Sequence, residues 1–81
     1  MGSFILRMRT KERTSLNAFR TLMTRLNEPV ELLYKRRVNK NKQLEVCYSL
    51  YAEELTLVEI KKMIDAKIRY DTLELFEYVT W

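Results

Sequence analysis

The 81-residue chain contains no histidine, one cysteine, one proline and one glycine. Without histidine there is no imidazole general base and no Ser-His-Asp or Cys-His arrangement for nucleophilic catalysis. A zinc site of histidine and cysteine ligands is excluded as well, because Cys47 supplies one thiolate where about four ligands are needed. Gly2 lies at the N-terminus, so the rest of the chain has no glycine-rich loop for binding phosphate. We therefore expect a protein that is not an enzyme and that holds no cofactor or metal.

A single cysteine cannot form an intramolecular disulfide, so an intracellular, reducing and cytoplasmic setting is the simplest interpretation. No segment has the roughly 18 consecutive apolar residues that a membrane-spanning helix needs. Apolar residues make up 47% and charged residues 32% of the chain, a composition typical of one soluble globular domain over residues 1–81. A core of this size is small, and homodimerisation would add stability.

The first third of the chain predicts a strand followed by a helix. Over residues 3–9 apolar and polar side chains alternate, which predicts a strand with one polar face. Over residues 15–27 apolar side chains recur every three or four positions, which predicts an amphipathic helix. The hydroxyl of Thr14 or Ser15 can cap its start, and Pro29 marks its end.

The middle of the chain predicts an antiparallel hairpin. Residues 30–38 and 43–52 both alternate, and the Asn39–Lys42 segment between them has the composition of a turn. In the first of these strands one face is directed to the core by Val30, Leu32, Tyr34 and Val38. The following residues face away: Glu31, Leu33, Lys35 and Arg37.

The last third predicts a second helix and a final strand. Thr56 and Glu59 have the spacing of a capping box, so a helix is expected from Leu57 to a point near Arg69 to Asp71. Residues 72–81 are rich in aromatic and β-branched side chains, which favours a strand with a bulge near Leu75. An extension of the second helix is the alternative.

The predicted order is therefore β-α-β-β-α-β, the ferredoxin-like α+β arrangement. It has a four-stranded antiparallel sheet with two helices on one face. Right-handed crossovers place the first and third strands at the centre of the sheet. The other face of the sheet is left uncovered.

Charge is unevenly divided along the chain. Residues 1–52 hold 11 basic and 4 acidic residues, a net of +7, whereas residues 53–81 hold 4 basic and 7 acidic residues, a net of −3. Such asymmetry steers a polyanion toward one side of a molecule. The candidate binding residues are basic or aromatic residues expected on the uncovered face and the hairpin: Arg7, Arg9, Lys35, Arg36, Arg37, Lys40, Lys42, Tyr51 and Tyr78.

Two functions fit this pattern. The first is nucleic-acid or nucleoprotein binding, with phosphates contacted by Arg and Lys and bases stacked on tyrosine rings. The alternative is a protein-binding inhibitor, adaptor or other small regulator that uses the same face or an exposed edge strand against an acidic protein surface. A homodimer is compatible with this alternative.

Overall fold

A computed structural model of the chain describes residues 3–26, 28–38, 42–52 and 54–78. The elements are β1 (Ser3–Thr10), α1 (Arg13–Arg25), β2 (Val30–Val38), β3 (Gln43–Tyr51), α2 (Leu57–Lys67) and β4 (Thr72–Tyr78). The strands form one antiparallel sheet in the order β2-β3-β1-β4. The fold is ferredoxin-like α+β, which confirms the prediction from the sequence.

The core lies between the sheet and the two helices. Phe4, Leu6 and Met8 of β1 are fully buried, because every second residue of this central strand faces the helices. Phe19 of α1 is fully buried against the same face, and its ring meets the Tyr48 ring edge-on with 5.1 Å between centroids. From α2 the fully buried residues are isoleucines: Ile60 and Ile64.

The second helix starts as predicted, but the first does not. The Thr56 side chain accepts a hydrogen bond from Glu59 N at 3.3 Å, so the N-cap and the start of α2 at Leu57 are confirmed. The expected cap of α1 at Thr14 or Ser15 is wrong, because α1 begins at Arg13 with Glu12 as its N-cap residue. The reason is local, since the Thr10 hydroxyl accepts from Glu12 N at 3.1 Å and turns the chain directly after β1.

Residues Thr72–Tyr78 form a strand, and the alternative of a longer second helix is wrong. Their pairing with β1 runs without interruption from Arg9 opposite Thr72 to Ser3 opposite Tyr78, so no bulge occurs near Leu75. Residues 72–78 therefore pair along their whole length with the buried central strand β1 and do not continue α2.

The bulge lies instead in β2. The register shifts between Leu32, opposite Tyr48, and Tyr34, opposite Cys47, so one extra residue is accommodated. Because side chains alternate, a one-residue shift reverses the side on which every later residue of the strand lies. The prediction that Lys35 and Arg37 lie on the uncovered face is therefore wrong. They lie opposite Val46 and Leu44, on the helix side of the sheet.

Candidate nucleic-acid interface

The uncovered sheet face, called the open face below, carries arginines that are already paired with carboxylates. Arg9 Nε donates to Glu45 Oε1 at 2.5 Å, and Arg36 Nε donates to Glu45 Oε2 at 2.6 Å. Glu45 has no exposed surface although no helix covers this face. The two arginine side chains therefore cover the carboxylate that they neutralise.

The pKa of the Glu45 carboxyl depends both on its burial and on the hydrogen bonds that it accepts. Burial alone would raise the pKa of the Glu45 carboxyl, because it disfavours the charged form. Hydrogen bonds from Arg9, Arg36 and Tyr34 outweigh burial and lower the pKa from 4.5 to about 2. Glu45 is thus ionised at neutral pH, and its negative charge is paired with Arg9 and Arg36.

Arg7 is engaged in the same way. Its Nε donates to Glu74 Oε1 at 3.2 Å, and its Nη2 donates to the other oxygen of the same carboxylate. The Arg7 guanidinium also lies 5.9 Å from the centroid of the Phe76 ring, and that of Arg36 lies 5.4 Å from the centroid of the Tyr34 ring. Arg7, Arg9 and Arg36 are thus all ion-paired, and two of them also lie over an aromatic ring.

Two other β3 side chains on this face are buried or half-buried. Cys47 is buried, 4% exposed, and burial raises the pKa of its thiol, which makes it an unreactive side chain. Tyr51 is half-buried at the end of β3, opposite Ser3. Lys40 and the side chain of Tyr78 lie outside the part of the chain that the structure describes.

A second basic surface lies on the flank of the molecule formed by α1 and the edge strand β2. We call it the basic tract. Its members are exposed cations from α1, β2 and the connections beside them: Lys11, Arg13, Arg20, Arg25, Lys35, Arg37 and Lys42. Among the described residues, none of these seven forms an ion pair.

The basic tract borders a series of adjoining hollows. The largest, about 600 Å³, runs between α1 and β2 and is lined by Asn17, Arg20 and Lys35 over a floor that includes Val46 and Tyr48. The next hollow is lined by Arg13, Lys35 and Arg37. A third hollow is lined by Lys11 and, at the end of the hairpin, by Lys42. Of the described residues that line these hollows and the outer side of α1, Glu28 is the single carboxylate.

The candidate residues thus fall into two groups with different electrostatics. Arg7, Arg9 and Arg36 are ion-paired on the open face, where Arg9 and Arg36 share one carboxylate, whereas the other described basic candidates, Lys35, Arg37 and Lys42, belong to the basic tract. The contribution of α1 was not among the candidates. Its signal in the sequence is a 13-residue helix with three arginines and no acidic residue.

No apolar helix of membrane-spanning length occurs in the described ranges. Comparisons with protein-family models, with curated proteins and with solved structures find no match. The functional interpretation therefore rests on the arrangement of side chains in this chain.

Proposed function

We propose that the protein is a non-catalytic nucleic-acid-binding module that contacts phosphates with the basic tract. The observation that carries this proposal is the convergence, among the described residues, of seven exposed cations without an ion pair beside hollows in which Glu28 is the single carboxylate. Cations that lie close together without carboxylate partners repel one another. A bound polyanion relieves that repulsion and releases its own counterions.

The basic tract is a better phosphate-binding surface than the open face. A phosphate approaching Arg9 or Arg36 competes with Glu45, and one approaching Arg7 competes with Glu74. Lys35 and Arg37 have no such competitor among the described residues. Both are exposed, and long side chains of this kind can adjust to the spacing of a phosphate backbone.

Salt dependence of binding tests the proposal. With about five phosphate contacts, affinity for a labelled oligonucleotide falls by about two to three orders of magnitude between 50 and 200 mM salt. Fluorescence anisotropy at several salt concentrations gives the slope. Absence of binding at about 50 mM salt to both single-stranded and duplex oligonucleotides would overturn the proposal.

Charge-matched variants locate the surface. The double variant Lys35→Gln, Arg37→Gln removes two cations of the basic tract and should reduce the salt slope by about two. Lys62→Gln, Lys67→Gln removes the same charge from exposed positions on α2 and should change the slope little. Equal loss in both variants would show that net charge alone, and not the basic tract, produces binding.

The second candidate is a protein partner that binds along β2, as an inhibitor, adaptor or second copy of the chain would. It is favoured by two neighbouring leucines on this edge strand, Leu32 at 51% and Leu33 at 47% exposure. An apolar contact of this kind persists at high salt. Mass measurement in solution, repeated with Leu32→Ser, distinguishes a homodimer through β2 from a monomer.

A further inference from the structure

The outward side of α1 carries a stripe of polar side chains in a regular spacing. Arg13, Asn17, Arg20 and Thr24 are all exposed and are separated by four, three and four positions. At 3.6 residues per turn, these positions fall within about 60° around the helix axis and extend over about 16 Å. They therefore form a straight stripe along one side of α1.

The residue types in the stripe are those that read base edges. Arginine pairs with guanine through two hydrogen bonds, and asparagine pairs with adenine in the same way. The Thr24 hydroxyl already donates to the Arg20 carbonyl oxygen at 3.0 Å, so Arg13, Asn17 and Arg20 are the side chains left to contact bases. No acidic residue occurs within α1 to repel a phosphate backbone.

The stripe is oriented toward β2 and away from the second helix. Asn17, Arg20 and Thr24 line the hollow that α1 shares with β2, and Arg13 lines the next hollow with Lys35 and Arg37. None of the described residues of α2 lines either hollow. A ligand that contacts the stripe therefore also meets the cations of β2.

We propose that α1 enters the major groove of double-stranded DNA and reads bases with Arg13, Asn17 and Arg20 while Lys35 and Arg37 contact the phosphates beside the groove. This inference rests on the proposed function and names its ligand. B-DNA has a major groove wide enough to admit an α-helix, whereas the major groove of an RNA duplex is too narrow. A stripe of about 16 Å corresponds to about five base steps at 3.4 Å per step.

Selection from a pool of random DNA duplexes tests this inference. We expect the protein to enrich a short motif that contains guanines and an adenine, and to bind that duplex at least 10-fold more tightly than its single strands. In Asn17→Ala the preference for the adenine should fall by about 10-fold or more, with the salt slope unchanged. Thr14→Ala, a change at an exposed α1 position about 90° from the stripe, should retain the wild-type motif.

The outcomes separate this inference from the proposed function. Salt-dependent binding without an enriched motif, or equal affinity for duplex and single strand, overturns the reading role of α1 and leaves phosphate binding by the basic tract intact. Preferred binding to duplex RNA or to an acidic peptide also overturns it. If no nucleic acid binds at about 50 mM salt, the proposed function fails together with the inference.

Discussion

Replacing Glu45 by glutamine tests whether the ion pairs of the open face stabilise the fold. The carboxylate has no exposed surface, while the side chains of Arg9 and Arg36 that cover it remain 34% and 59% exposed. Glutamine has nearly the same shape but no charge. The substitution therefore leaves the packing almost unchanged but removes the charge. Because the amide nitrogen cannot accept a hydrogen bond, one of the two arginine donors also loses its partner.

The expected cost follows from the ionisation of Glu45. A carboxyl pKa of about 2 in the folded protein, against 4.5 for the ordinary group, corresponds to at most about 3 kcal/mol of stability at neutral pH. Solvent reaches both arginines and screens the interaction. We therefore expect Glu45→Gln to lower the free energy of unfolding by about 1–3 kcal/mol at pH 7.

The pH dependence gives the stronger test. Because the folded-state pKa is lowered, the stabilisation is fully present above about pH 4.5 and is lost as the pH falls toward about 2. Urea unfolding followed by far-ultraviolet circular dichroism should show the full difference between wild type and Glu45→Gln at pH 7. The difference should shrink between about pH 5 and 2.

Glu74→Gln is the matched control. Its ion pair with Arg7 lies on the same face, but the two side chains are 42% and 33% exposed, so its loss should cost less than about 1 kcal/mol. The reasoning is refuted if Glu45→Gln costs no more than Glu74→Gln at pH 7. It is equally refuted if the cost of Glu45→Gln does not change down to pH 2.

Three further substitutions or assays test other parts of the structure. Thr56→Ala removes the hydrogen bond to Glu59 N and should lower the free energy of unfolding by about 1 kcal/mol in urea titrations. The buried Cys47 thiol should react with a disulfide reagent only after unfolding, and rapid reaction of the folded protein at neutral pH would contradict its burial. Lys42 has a φ of 53°, so Lys42→Gly should stabilise the protein by up to about 1 kcal/mol while weakening oligonucleotide binding, measured by urea titration and anisotropy.

The order of elements could be predicted from the sequence because most elements carry a strong local signal, whereas residues 72–81 left a longer second helix open as an alternative. Phe4, Leu6 and Met8 occupy every second position of β1, and all three residues are fully buried. The Thr56 cap is a contact between residues three positions apart, so it depends on little beyond the local chain. The start of α1 was missed because the side chain of Thr10, in the preceding strand, sets the turn.

The position of the β2 bulge could not be predicted from alternation alone. An unbroken register places Lys35 opposite Glu45, whereas the observed register places Arg36 there. Both registers place a cation opposite Glu45. The expected ion pair between β2 and β3 therefore does not distinguish the two registers. In the observed register Tyr34 lies opposite Cys47 and also stacks with Arg36, a contact of side chains two positions apart that the pattern of apolar residues does not encode.

The bulge also decides on which side of the sheet Lys35 and Arg37 lie. In the unbroken register, Lys35 and Arg37 would lie on the open face beside Glu45, and the helix side would receive Tyr34 and Arg36. The observed register leaves Arg36 to neutralise Glu45 and places two cations beside α1, a helix that has no acidic residue of its own. Arg9 and Arg36 of the open face are then ion-paired with Glu45, whereas no described residue forms an ion pair with the cations of the basic tract. The basic residues of the first 52 positions are thus divided between an ion-paired open face and the α1–β2 flank, and the proposed anion contacts belong to that flank.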